Sequence, residues 1–341
     1  MMRRGWTVLV GGVLVALLSW VLTALPVPYV ALGPGPTLDT LGNSDDGKEI
    51  IQIEGRQESK SKGHLNLTTV SVTDGLDLGS AMRYWLDGKY AVVPRELIFP
   101  PGESEEEVDK RNEADFKASQ TSAEIAALRV LGYPVFVTVV KLTEKSPSER
   151  KLAVGDVITA VDGKPVTSNE TLLKAISEVG PKGAVTVTYV RAGQSKSVLI
   201  GTTESDGRKV IGIQVESRQP HPFKVKFAID KIGGPSAGLM FALGLVDKLK
   251  PEDLTGGQFI AGTGQINDDG EVLPIGGIQQ KLVAADGVGA SVFLTPADNC
   301  AEAVAAKPAG LRLIKIETLD GALKALDQLR TGKGKPPVCT R

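Results

Sequence analysis

Between Trp6 and Leu25 the chain runs for twenty residues, WTVLVGGVLVALLSWVLTAL, without a charge. At about 1.5 Å per helical residue, such a run matches the ~30 Å hydrocarbon core of a bilayer. The expectation is a transmembrane anchor over 6–25 with residues 1–5 as a cytoplasmic stub. Arg3 and Arg4 directly precede the run, and positive charge at that end keeps it cytoplasmic. The expected localisation is therefore the cell membrane, single-pass, with the body of the chain extracytoplasmic and lipid as a partner through 6–25. A cleaved signal peptide is the competing reading. Its apolar core runs for only about 7–15 residues and precedes an A-x-A-like site, which is missing after Leu25. Both readings export the rest, and in an oxidising compartment Cys300 and Cys339 form an even count able to pair.

Composition narrows what the exported part does. A length of 341 residues exceeds the ~100–200 of one domain, and 42% hydrophobic residues exclude disorder. The balance of 39 Lys+Arg against 40 Asp+Glu argues against a nucleic-acid binder, which needs a basic surplus. His64 and His221 are the only histidines, and no HExxH or CxxC spacing occurs, so no metal site and no cofactor is expected.

Residues 27–44 are dense in Pro and Gly and read as extended. IIQIEG and HLNLTTVSV read as strands of a small β-containing region within 27–119. Ser104 and Glu107 form a capping-box pattern that starts a helix, and a further helical stretch runs from Ser122 to Gly132. Over 120–203, VFVTVV is a strand, a second strand ends in the Asp162-Gly163 turn, a helix starts at Ser168 or Asn169, and two strands close a hairpin. Leu152 to Val166 matches L-x-x-G-D-x-I-x-x-V-x-G-x-x-V, and this unit resembles a PDZ domain. The resemblance implies capture of a peptide as an added strand beside VFVTVV, its carboxylate held by the backbone of Leu131, Gly132 and Tyr133. Pro134 departs from that pattern because it lacks an N–H. A plain spacer between membrane and catalytic unit is the alternative role.

The chemistry lies in KIGGPSAGLMFALGLVDKL. Two glycines and Pro235 lead into a helix that is apolar almost all round, so Ser236 sits where a buried helix meets the surface. Backbone N–H groups at such an end can hold an oxyanion. A plain capping serine is the bland reading. As a base, neither histidine fits: His64 lies in a remote strand region and His221 between two prolines. A lysine serves if burial lowers its pKa. Lys281 follows a double glycine and has Gly277, Ile278, Ala284 and Ala285 as its helical neighbours.

GGPSAG, then GTGQI, then PIGG-x-x-x-K in this order resemble the proteolytic domain of the Lon family, which uses a Ser-Lys dyad. The resemblance covers about 208–327 and implies Ser236 as nucleophile and Lys281 as general base. Thr263 would hydrogen-bond near the lysine, and Gly234 and Ala237 would support the site. Gly233 stands where ATP-dependent Lon enzymes carry Asp. No G-x-x-x-x-G-K-[ST] loop occurs in these residues, so no ATP use is expected. The order of anchor, PDZ unit and Lon-like unit resembles membrane-anchored PDZ-containing Lon-like proteases of bacteria.

Ser59-Lys62 and Ser148-Lys151 also fit S-x-x-K but lie in charged stretches without a burying helix. The string G-x-S-x-G at Gly234 to Gly238 lacks the strand and histidine of a hydrolase elbow.

The expected fold class is thus α+β multidomain: transmembrane helix (6–25), β-containing region (27–119), PDZ domain (120–203), Lon-type α/β proteolytic domain (208–330) and tail (331–341). The expected function is an ATP-independent serine endopeptidase acting on protein or peptide substrates. Ring assembly is suggested by the relatives, and a non-catalytic PDZ adaptor is the competing reading.

Overall fold

The computed structural model describes every residue except 1, 45–46, 180–182, 206, 230–231 and 341; at 2–4 and 21–24 it describes the backbone alone. The apolar run forms α1 (Met2–Ala24), whose side chains stand exposed over 5–20. The expected transmembrane span is not carried by the structure: among the described residues no helix is long and apolar enough to cross a membrane.

The first part of the body holds β1 (Tyr29–Asp39), β2 (Ile51–Glu54), β3 (His64–Thr73), α2 (Leu78–Leu86), β4 (Ala91–Pro94) and α3 (Glu105–Val130). Next come β5 (Phe136–Leu142), β6 (Val157–Val161), β7 (Lys164–Pro165), α4 (Asn169–Ser177), β8 (Ala184–Arg191), β9 (Gln194–Gly201), β10 (Thr203–Ser205), β11 (Arg208–Val210) and β12 (Ile213–Arg218). The last part holds β13 (Lys224–Phe227), α5 (Gly238–Leu249), β14 (Phe259–Gly262), β15 (Gln265–Ile266), β16 (Val272–Leu273), α6 (Ile278–Gly287), β17 (Val292–Pro296), α7 (Cys300–Ala305), β18 (Arg312–Ile316) and α8 (Leu319–Thr331).

One six-stranded sheet, ordered β18-β17-β14-β3-β1-β4, joins the first part to the last. β3 pairs in parallel with β14, setting Leu65 opposite Ile260 and Leu67 opposite Gly262. Residues 27–119 are therefore no region apart, because β1, β3 and β4 complete the sheet that also holds β14, β17 and β18. Leu65, Asn66, Leu67 and Thr68 are all buried, as expected of a strand inside a sheet covered on both faces. α5 is buried along its whole length, which is where a helix apolar all round must lie. α3 packs across it, with Phe116 and Phe241 edge to face at 5.7 Å. The Ser104–Glu107 capping box forms as expected. The two helical stretches expected there are one continuous helix, since no Gly or Pro interrupts 105–130.

The middle unit folds as a second sheet, β12-β5-β6-β8-β9, over a core that includes Val137, Ile158, Leu172, Ile176 and Val187. Asp162 and Gly163 both take positive φ, as a two-residue hairpin turn demands. This sheet runs beyond residue 203 to β12, ten residues or more past the expected boundary. At the C-terminal end Cys300 and Cys339 form a disulfide.

Candidate active site

Ser236 lies at the entrance to α5. Gly234 takes φ +81°, a left-handed conformation that glycine adopts without strain, and Pro235 fixes the following step. α3 braces this loop: Gly234 N–H donates to Asn112 O at 2.9 Å, and Ser119 Oγ donates to Pro235 O at 2.8 Å. A Cβ at Gly233 would meet Asn112 Cβ at 2.8 Å, so the Asn112 side chain on α3 occupies the room that an aspartate would need. From the opposite side, Gly264 N–H (2.8 Å) and Thr263 Oγ1 (3.0 Å) both donate to the Ser236 carbonyl. The serine's main chain is clamped from two elements. The N–H groups of Ser236 and Ala237 meet no hydrogen-bond acceptor among the described residues.

Lys281 approaches from α6, which starts after Gly277 in a left-handed conformation at φ +68°. Its Nζ lies 3.0 Å from Ser236 Oγ and donates to Thr68 O at 2.7 Å. The residue is 2% exposed. Burial pulls its pKa down to about 7, because an ammonium loses hydration that no carboxylate replaces. Serine and lysine face a cavity of about 370 Å³, also lined by Pro36, Thr69, Val70 and Gly276. The arrangement has the parts of a nucleophile activated by a neutral amine.

Thr263 hydrogen-bonds beside the lysine: its hydroxyl holds the Ser236 carbonyl, while the lysine's second contact is Thr68 O. Thr68, Asn112 and Ser119 were not legible in the sequence. Two of them act through backbone carbonyls, which leave no residue signature. The histidines are engaged elsewhere, His64 Nδ1 at 2.6 Å from Asp39 and His221 Nε2 at 3.2 Å from Glu124. Ser148 donates to Ile211 O and Lys151 to Leu199 O, which leaves that S-x-x-K match without a dyad.

The expected peptide-binding residues need correction. Leu131, Gly132 and Tyr133 close the end of α3, and their N–H groups already donate to Ala127, Arg129 and Leu128. The strand beside them, β5, has both edges paired, by β12 and β6, so no peptide can be added there. The free edge of this sheet next to α4 is β12, entered through Gly212 at φ +79°. Where β12 and α4 meet, Ser217 Oγ donates to Asp268 at 2.8 Å and Ser168 Oγ to Asp269 at 2.5 Å. Arg129 adds an ion pair to Asp269 at 2.6 Å. The turn carrying both aspartates follows β15, which starts at the residue after Gly264, so the middle unit is fastened close to the segment that holds the Ser236 carbonyl.

Residues 111–202 match the PDZ domain family, and residues 218–327 match the Lon protease (S16) C-terminal proteolytic domain. The chain thus carries a PDZ domain and, after it, a Lon-type proteolytic domain. Among curated relatives, Lon protease 1 of Sorangium cellulosum is 38% identical over 30% of this chain and 13% of its own length. Lon protease of Vibrio parahaemolyticus is 39% identical over 29% of this chain and 13% of its own. The archaeal Lon protease of Methanothermobacter thermautotrophicus is 31% identical over 33% and 17%. The chain therefore spans well under a fifth of these relatives' lengths. A solved PDZ domain of an SdrC-like protein from Listeria monocytogenes is 25% identical over 23% of this chain and 85% of its own, with a TM-score of 0.22.

Proposed function

We propose that this chain is a serine endopeptidase that uses Ser236 as nucleophile and Lys281 as general base. The observation that carries the reading is the 3.0 Å approach of a buried Nζ, its pKa near neutrality, to the serine hydroxyl. In the reaction the neutral amine takes the Oγ proton as Oγ bonds to the scissile carbonyl carbon. The oxyanion so formed is met by the N–H groups of Ser236 and Ala237. The ammonium returns its proton to the leaving amine as the C–N bond breaks, and the same amine then deprotonates the water that releases the acyl group.

The finer reading is a protease anchored by α1, with its body outside the cell, acting without ATP on unfolded or flexible chains. The exposed apolar side chains of α1 support the anchor, and the Cys300–Cys339 disulfide supports an oxidising compartment. The PDZ domain would take a peptide along the free edge of β12 beside α4, where main-chain hydrogen bonds give affinity.

Cleavage of an unfolded reporter protein by the wild type, Ser236→Ala and Lys281→Met tests the chemistry. Either substitution is expected to cost on the order of 10³-fold or more in kcat. A Lys281→Met enzyme with near wild-type turnover, folded by circular dichroism, would reject the base; a wild type that cleaves nothing would favour the adaptor reading.

A further inference from the structure

Outside α1, four of the large exposed apolar side chains lie on α2 and on the turn after β4, next to the segment 25–28 that follows α1. Met82, Trp85 and Leu86 recur at i, i+3 and i+4 on α2 and are 48%, 72% and 73% exposed, which places them on one outward face. A neighbouring side of α2 is seated: Ala81 is buried, in a cluster with Ala31 and Leu76. Leu97, 68% exposed, stands on the 3₁₀ turn after β4.

Hydrogen bonds tie this patch to the root of α1. Leu78 N–H donates to Leu25 O at 3.0 Å, Val27 N–H to Leu76 O at 2.9 Å, and Arg95 N–H to Pro28 O at 3.0 Å. These bonds seat α2 and the turn after β4 against residues 25–28, the segment that follows α1.

We propose that α2 and the turn bearing Leu97 form a foot that lies in the lipid headgroup zone, with Trp85 at its centre. The proposal rests on the reading of α1 as an anchor and adds a second membrane contact to it. A lipid surface is the occupant because the patch adjoins an apolar helix at the level where that helix would emerge. Tryptophan suits that zone, since its ring is apolar and its N–H finds a polar partner there. A short helix with one apolar face lies in the plane of such an interface. The contact would fix the tilt and height of the body over the bilayer, which one flexible connection alone would leave free.

Bromine-quenching in phosphatidylcholine nanodiscs tests this on the full chain, which contains three tryptophans, Trp6, Trp20 and Trp85. Trp6→Phe/Trp20→Phe leaves Trp85 as sole reporter, and Trp6→Phe/Trp85→Phe leaves Trp20. The expected result is that Trp85 emits at short wavelength and loses most of its intensity to lipid brominated near the headgroup, and much less to lipid brominated near the chain end. Trp85 unquenched while Trp20 is quenched overturns the foot and leaves the anchor standing. Quenching of Trp85 without Trp20 supports the foot and rejects the anchor. Both unquenched overturns both. Trp85→Ser/Leu86→Ser, placed away from the cavity, should keep cleavage of a soluble peptide unchanged while the body's fixed orientation on nanodiscs is lost.

Discussion

The lysine at position 281 sets the chemistry and its dependence on pH. Folded, its pKa is about 7, whereas an unfolded lysine titrates near 10.4. The base is the neutral form, so kcat/KM should rise through about pH 7 and level off above it; a flat profile across that range would reject an amine base. Stability follows the same shift. Between the folded and unfolded pKa values the unfolded chain binds more protons, so this group's penalty is full below about pH 7 and fades as pH rises toward about 10.4. Lys281→Met, which removes that penalty, should unfold at a higher temperature than wild type near pH 6 and lose the advantage near pH 10. Calorimetry at both pH values checks this. At this scale the sequence was informative: a serine at the entrance to an apolar helix and a lysine among small residues are choices of side chain. The role of Thr68 was hidden because its contribution is a carbonyl that any residue would supply.

Among the elements, α3 bears most on the site. It lies outside the Lon-type match, yet it holds the Ser236 loop through Asn112 O and Ser119 Oγ. Ser119 is 4% exposed, and removing its hydroxyl takes a partner from the part-buried Pro235 carbonyl at a cost of about 0.5–1.5 kcal/mol. Ser119→Ala should therefore lower kcat more than it changes KM, with the pH profile kept, and Ser119→Thr should restore part of the loss; steady-state kinetics reads both. The pattern of β3 announced a strand but not its neighbours. HLNLTTVSV reads the same whether it closes a small region of its own or, as found, pairs with β14 almost two hundred residues later. The PDZ edge was misplaced for a related reason. VFVTVV looks the more regular strand because it is the inner one, while IQVESR alternates half-buried and exposed residues as an edge does.

At the scale of the molecule, two units are fastened by Asp268 and Asp269. Asp269 accepts from Arg129 and from Ser168, the N-cap of α4. Asp269→Ala should cost about 1–3 kcal/mol and loosen the PDZ domain from the catalytic unit. Limited proteolysis would then cut between the units sooner, and scattering would report a larger radius of gyration; unchanged digestion would show that the fastening lies elsewhere. β1 carries a different consequence. It starts at Tyr29, just past the end of α1, and reaches the catalytic cavity at Pro36. Seven residues of strand measure at most about 24 Å. If α1 lies in the bilayer as proposed, that stiff span would work as a ruler: it would hold the cavity within a few nanometres of the lipid and favour juxtamembrane stretches of neighbouring proteins over distant domains.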